Sequence, residues 1–168
     1  REYNIFQLQK PNFNSLKNAL YQEEGQIIAN YGLDPKLGKY HRNFCEKCRT
    51  TLISIHSAVC SQCGSSHFIK GVYDRLLEIG DMSAKSPPNR PPYHYQIPLS
   101  FLPGVGPKTI DKLINNFGSE MQVVHKVHFS DLEKVVGPKI AELIDLARKG
   151  QLQITPGGGG IYGKVSGA

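Results

Sequence analysis

Four cysteines in two pairs constrain this chain more than any other feature. Cys45-x2-Cys48 is followed, eleven residues later, by Cys60-x2-Cys63. A tight CxxC turn points both of its thiolates the same way, so two turns at this distance can place four sulfurs around one point. Gly64, directly after Cys63, suits a turn that needs positive φ. Four thiolates at about 2.3 Å make a closed tetrahedral Zn²⁺ site, structural because no position is left for water. Two disulfides are the rival pairing, and they belong to small secreted domains, which nothing here indicates. A redox CxxC is a second rival, but redox motifs rarely come as matched pairs. His56 and His67 lie close enough to replace a cysteine, although four cysteines leave no vacancy, and His41 reads as a surface or packing residue. The expectation is a zinc ribbon, with "TTLISIHSAV" (50–59) supplying strands and the metal supplying the fold.

The rest of the chain is punctuated rather than continuous. Seventeen Gly and eleven Pro make one residue in six of the 168. Small modules with linkers fit this better than one large core. The net charge is +6, and from 35 to 71 six Lys/Arg face one acid, Glu46. That concentration favours a polyanionic partner. No run of about 18 apolar residues suggests a membrane span, and no secretory leader is visible, so the expectation is a cytoplasmic protein without a membrane partner. The chain starts at Arg1 without a Met, which leaves room for a longer parent protein.

Five segments follow. Residues 1–35 read as the end of a preceding domain: two short strands, "EYNIFQL" and "GQIIANYGL", flank a helix capped by Asn14 or Ser15, with Leu16, Ala19 and Leu20 on one face. Residues 36–81 are the ribbon and a trailing helix ended by Gly80, with Val72, Leu76 and Ile79 on one face. Residues 82–96 contain "SPPNRPP" and read as a stiff linker, closed to helix and central strand. Residues 97–150 are helical, and 151–168 form a Gly-rich tail that reads as mobile. Ile161, Tyr162 and Val165 leave open a second reading of that tail, in which the glycines make a close approach to a surface.

The helical segment opens with "FLPGVGPKTIDKLINNFG" (101–118). A phosphate-wrapping nucleotide loop needs four residues between its first Gly and a Gly-Lys pair. Here Val105 alone separates Gly104 from Gly106, and Pro107 splits Gly106 from Lys108 and removes a donor. No dinucleotide fingerprint is present either. The pattern is instead a hairpin between helices. Pro103 stops a short apolar turn, Pro107 is pre-set for a first helical position, and Ile110, Leu113, Ile114 and Phe117 share one face. The loop's N–H groups lie at a helix start, where an anion is favoured. The scheme recurs 31 residues later. Gly137, Pro138 and Lys139 fall on Gly106, Pro107 and Lys108, with Val135 replacing the first Gly. The expected DNA contacts are Gly104, Val105, Gly106, Lys108 and Thr109 on one phosphate and Gly137 and Lys139 on a second, with Lys47 and Arg49 of the ribbon extending the track. Such contacts are sequence-independent. Residues 97–150 carry only +1, seven bases against six acids. A protein-interaction module docking a partner subunit is therefore the alternative.

"LPGVGPKT" with "VVGPKIAELI" resembles the tandem helix-hairpin-helix of DNA repair nucleases. The order "REYNIF", "GKYH", the four-cysteine ribbon, "RPPYHYQIPL", the hairpins and "GGGGIYGKV" resembles the C-terminal part of endonuclease Q-like proteins. That resemblance implies a multi-module fold, mainly α with small β. It implies a parent enzyme that cleaves DNA beside deaminated or abasic nucleotides, using divalent metals held in a polymerase-and-histidinol-phosphatase (PHP) type domain. This chain is expected to hold only the end of that domain, so the missing nuclease domain becomes a partner. No H-x-H and no carboxylate cluster occurs in residues 1–34, and His41, His94, His125 and His128 lack paired carboxylates. No catalytic residue is assigned.

Overall fold

A computed structural model describes residues 2–52, 59–81, 85 and 87–166. In chain order the elements begin with β1 (Tyr3–Gln7), α1 (Phe13–Leu20), β2 (Gln26–Leu33), β3 (Phe44–Cys45), β4 (Thr50–Thr51) and β5 (Phe68–Ile69). They continue with α2 (Val72–Ile79), β6 (Tyr93–Gln96), α3 (Pro107–Phe117), α4 (Glu120–His125), α5 (Phe129–Val136), α6 (Pro138–Arg148), β7 (Gln153–Thr155) and β8 (Lys164–Ser166). The chain is thus helical with small sheets, as expected. Among the described residues no helix is long and apolar enough to cross a membrane. Two compact units emerge, one of Arg1–Leu33 with Ala84–Gln96, the other of Asp34–Ser83 with Ile97–Ala168.

In the first unit, β2 pairs antiparallel with β1 and parallel with β6. The linker expected over 82–96 therefore ends in a strand. The prolines explain where it starts: Pro92 has no N–H to give, but its carbonyl accepts from Asn30 N at 2.9 Å, and pairing continues from Tyr93 on an edge of the sheet. Tyr3, Tyr31 and His94 stack across the three strands, with centroids 4.6 and 4.7 Å apart. The cap of α1 is Asn12, two residues ahead of the expected Asn14, and its side chain accepts from Ser15 N. Ala19 is buried on that helix, while Leu20 is exposed.

In the second unit, β3 lies between β4 and β5, all antiparallel. The strand expected over 50–59 is present as Thr50–Thr51, and 53–58 with His56 lie outside the described residues. Helix α2 corrects an expectation. Val72, Leu76 and Ile79 are exposed, and the buried side chain is Asp74. It accepts from Asn43 N and faces Arg42 Nε at 3.1 Å. A buried carboxylate needs such partners, so the helix is anchored by its acid rather than by an apolar stripe. His41 packs as expected, its ring 5.1 Å from Tyr73.

Helices α3 to α6 enclose the main apolar core, where Leu99, Leu113 and Leu132 are wholly buried and Ile144 nearly so. Each such side chain contributes about 1.5–3 kcal/mol by burial. Leu113 and Ile144 occupy equivalent positions in α3 and α6, as the repeat predicts. The tail expected to be mobile is instead paired and hydrogen-bonded in the described structure. β7 and β8 form an antiparallel hairpin, and the glycines between them lie along residues 36–42. Gly157 N donates to Lys36 O (2.8 Å), Gly163 N to Leu37 O (3.0 Å), Gly160 N to Lys39 O (3.1 Å), and Arg42 N to Gly157 O (3.0 Å). A Cβ on Gly159 would stand 2.3 Å from the Phe44 ring, so only glycine permits this approach.

Candidate functional site

The two CxxC turns bring the four thiols together. Cys45 Sγ lies 3.6 Å from Cys63 Sγ, and Cys48 Sγ 3.5 Å from Cys60 Sγ. All four donors lie within 4.8 Å of one another. These are free thiols, far beyond the disulfide bond length of about 2.05 Å. A tetrahedral metal with bonds of about 2.3 Å requires sulfurs about 3.8 Å apart, so the donor set fits one metal ion. Each close pair takes one sulfur from each turn, so a metal there ties the turns together. Both turns close alike. Gly64 follows Cys63 at φ +67°, as expected, and Arg49 follows Cys48 at φ +56°. Gly64 N donates to Cys60 O at 2.8 Å.

The thiols share protons unevenly. The backbone N–H of Cys48 leads in drawing Cys45 down to about 7. The Ser65 N–H pulls Cys63 the same way, but burial and the neighbouring sulfurs outweigh it and push that thiol up to about 11. A dication bound here displaces the remaining protons. The local core is little more than the cluster: Cys45, Leu52 and Cys60, with Cys48, Cys63 and Phe68 against them. The module thus depends on what the sulfurs hold.

The inter-helix loops differ. The first runs from Leu102 to Gly106. Gly104 has φ +79°, and a Cβ on Gly104 or Gly106 would meet nothing within 4 Å. The second is a single residue, Gly137, which ends α5 and starts α6 at φ 80°, ψ 166°. Gly104, Gly106, Lys108 and Lys139 are exposed, with Thr109 and Gly137 half-buried. Val105 differs from the other expected contacts in being buried. Its side chain packs inward and its N–H donates to Leu102 O at 3.1 Å, which anchors the loop.

The helix starts differ in charge: α1, α3 and α6 have no acid in the first turn, and of these only α1 has a side-chain cap, Asn12. Helices α2, α4 and α5 carry Asp74, Glu120 and Asp131 in the first turn, where an acid complements the helix dipole. Helices α3 and α6 begin Pro-Lys, with no acid in the first turn and no side-chain cap. Lys108 and Lys139 stand where the helix dipole disfavours a cation, a cost that an external anion reverses. On the four-cysteine module, Lys47 and Arg49 are exposed. The sequence reading named Tyr162 only as a surface anchor of the tail and missed Lys39 and Phe101, which meet its ring, and Tyr40, which lies against Gly160. The only local signal was the aromatic Tyr162 beside the glycine block.

A family described as the MJ0043 C-terminal domain matches residues 108–151. The YqxK protein of Bacillus subtilis is 51% identical over 166 residues, covering 98% of this chain and 42% of that protein. MJ0043 of Methanocaldococcus jannaschii is 39% identical, covering 99% of this chain and 23% of its own length. Two solved structures overlay at TM-score 0.81. One is the lesion-specific endonuclease PfuEndoQ from Pyrococcus furiosus, at 33% identity over 99% of this chain and 45% of that one. The other is endonuclease Q in complex with a 27-mer duplex bearing an abasic lesion at the active site, at 34% identity over 100% of this chain and 46% of that one. This chain is similar throughout to a part of endonuclease Q. It spans less than half the length of the endonuclease Q chains and of both curated relatives. The likeness to endonuclease Q thus covers the four-cysteine module, the helices and the tail together.

Proposed function

We propose that this chain is the DNA-engaging part of an endonuclease Q-like repair nuclease that acts at deaminated or abasic nucleotides. In this reading the four-cysteine module is a zinc ribbon and the helical module a tandem helix-hairpin-helix. The tetrathiolate donor set suits Zn²⁺, whose bound form fixes the two turns and does no chemistry on DNA. The groups that cut, with their own divalent metals, belong to the part of the longer relatives that this chain does not span. The domain limits are those expected from the sequence, 1–35, 36–81, 82–96, 97–150 and 151–168, except that the end of 82–96 joins the first segment through the pairing of β6 with β2.

One observation carries the DNA reading. Gly106 has φ −94°, ψ 175°, and open space around it, so neither strain nor crowding demands glycine. It stands at the N-cap, where Ser, Asp or Asn stabilise a helix better. Pro107 has no N–H and Thr109 N donates to Gly106 O, so a glycine there leaves the Lys108 N–H to an outside acceptor that must come close, beside the charge of the Lys108 side chain. A backbone phosphate meets both conditions. Gly104, Thr109, Gly137 and Lys139 complete two such grips, and Lys47 and Arg49 lengthen the track. The complex of endonuclease Q with duplex DNA supports this choice of ligand.

The test is binding of the full chain to duplex DNA across salt concentrations, beside Lys108→Glu/Lys139→Glu. Glu in a first turn favours the helix, so the fold is kept. Each lost phosphate contact lowers the salt slope by about 0.9. The double variant should lose about two such contacts and bind at least about tenfold more weakly at low salt. Equal slopes and affinities would refute the hairpin grips. The exposed Val72, Leu76 and Ile79 of α2 favour a second role, protein docking, for that face. A stable protein complex with no DNA binding at low salt would make docking the primary function.

A further inference from the structure

The glycine tail presents a cluster that the two grips do not use. Its turn holds Ile161 and Tyr162 at 47% and 49% exposure, and a Cβ on the adjoining Gly160 would lie 3.4 Å from the hydroxyl of Tyr40, itself 51% exposed. Lys39 Nζ lies 4.7 Å above the Tyr162 ring. The Phe101 ring meets Tyr162 edge-on at 5.4 Å. Phe101 precedes Gly104 by three residues, so this cluster adjoins the first inter-helix loop.

We propose that Tyr40 and Tyr162, with Lys39, form a stacking surface for an unpaired nucleobase of a strand whose phosphate is held at that loop. The inference rests on the DNA reading and adds a base contact to it.

Three observations favour a nucleic acid here. The backbone under the rings is fixed, not loose. Hydrogen bonds from Gly157, Gly160 and Gly163 tie it to residues 36–39, and Gly159 and Gly160 adopt φ +61° and +85°. A Cβ on Gly163 would lie 2.7 Å from both Lys36 O and Thr155 O. Two large aromatic rings are therefore held half in solvent by a segment that tolerates only glycine at several points. The charge is single-signed. No Asp or Glu occurs in residues 35–45 or 146–168, and Lys36, Lys39 and Lys164 are exposed. Basic residues interleaved with aromatic rings suit a strand, with each π-face taking a base and each ammonium a phosphate. Last, Lys39 sits on the ring face through an exposed cation–π contact, which holds it only weakly. An arriving base can take that face while the ammonium moves to the adjoining phosphate.

The experiment compares two single strands of equal charge, each about 15 units long, near the upper site size for such surfaces. One is oligothymidine and the other a base-free abasic backbone. Fluorescence anisotropy with the full chain at low salt reads both affinities. The wild type should bind oligothymidine about five- to tenfold tighter than the base-free strand. Tyr162→Ala should remove most of that preference while leaving base-free binding unchanged, and Tyr162→Phe should retain it. Tyr40→Ala, whose ring is not packed on Phe101, should act in the same direction and decides the matter if Tyr162→Ala loosens the tail. Equal wild-type affinity for both strands would overturn the stacking surface and leave the phosphate grips standing. So would an equal loss on both strands in Tyr40→Ala. A chain that binds duplex DNA but neither single strand would overturn the stacking surface alone, and failure to bind the duplex as well would refute the DNA reading itself.

Discussion

The four-cysteine module and the helical module share one compact unit and are stabilised by opposite means. Around the cysteines, strands of two residues enclose a core of Cys45, Leu52 and Cys60. In the helical module, α3 and α6 run eleven residues each and bury Leu113 and Ile144. One rests on four sulfurs placed to hold a metal ion, while the other rests on periodicity. The difference teaches where each is vulnerable, and metal removal should separate them most sharply. Chelation, or Cys45→Ser, should abolish hydrogen-exchange protection around 43–70 and leave α3 to α6 protected. Structural zinc contributes about 10–16 kcal/mol in zinc-finger peptides, far more than any single side chain here. Simultaneous loss of protection in both modules would show that the helices also depend on the metal.

Between the modules runs the glycine tail, which belongs to neither type of core. Arg42 binds Gly157 on one side and Asp74 on the other, and Gly159 presses on Phe44 beside Cys45. Gly159→Val adds bulk 2.3 Å from that ring at φ +61°. It should cost about 2–3 kcal/mol in urea unfolding. A change within about 0.5 kcal/mol, as for an ordinary surface site, would mean that the tail does not clamp the modules.

Legibility in the sequence followed the range of the interactions. The sulfur cluster was legible because ligand spacing is local, and Gly64 at positive φ came with it. The helices were legible because Leu113 and its neighbours recur at 3.6-residue spacing. Three things were not. β6 pairs with β2 across about sixty residues, and the prolines before it suggested a linker. The exposed apolar side of α2 cannot be told from a buried one by periodicity alone, because Asp74 does the anchoring. The tail's glycines left a mobile tail and a close approach both open, because the groups they approach, Leu37 to Phe44, lie more than a hundred residues away. At the candidate site, the glycines and lysines of the loops were legible. The burial of Val105 and the approach of Tyr40 and Phe101 to the tail needed the fold.

The central claim is that Gly106 is glycine for a phosphate and not for the fold. Gly106→Asp separates these. Its carboxylate can cap α3, so thermal unfolding should show equal or slightly greater stability, by a few tenths of a kcal/mol. The same charge stands where the phosphate would lie, so duplex DNA binding at low salt should fall by about tenfold or more. A variant that folds as well as the wild type and binds DNA equally well would contradict the account.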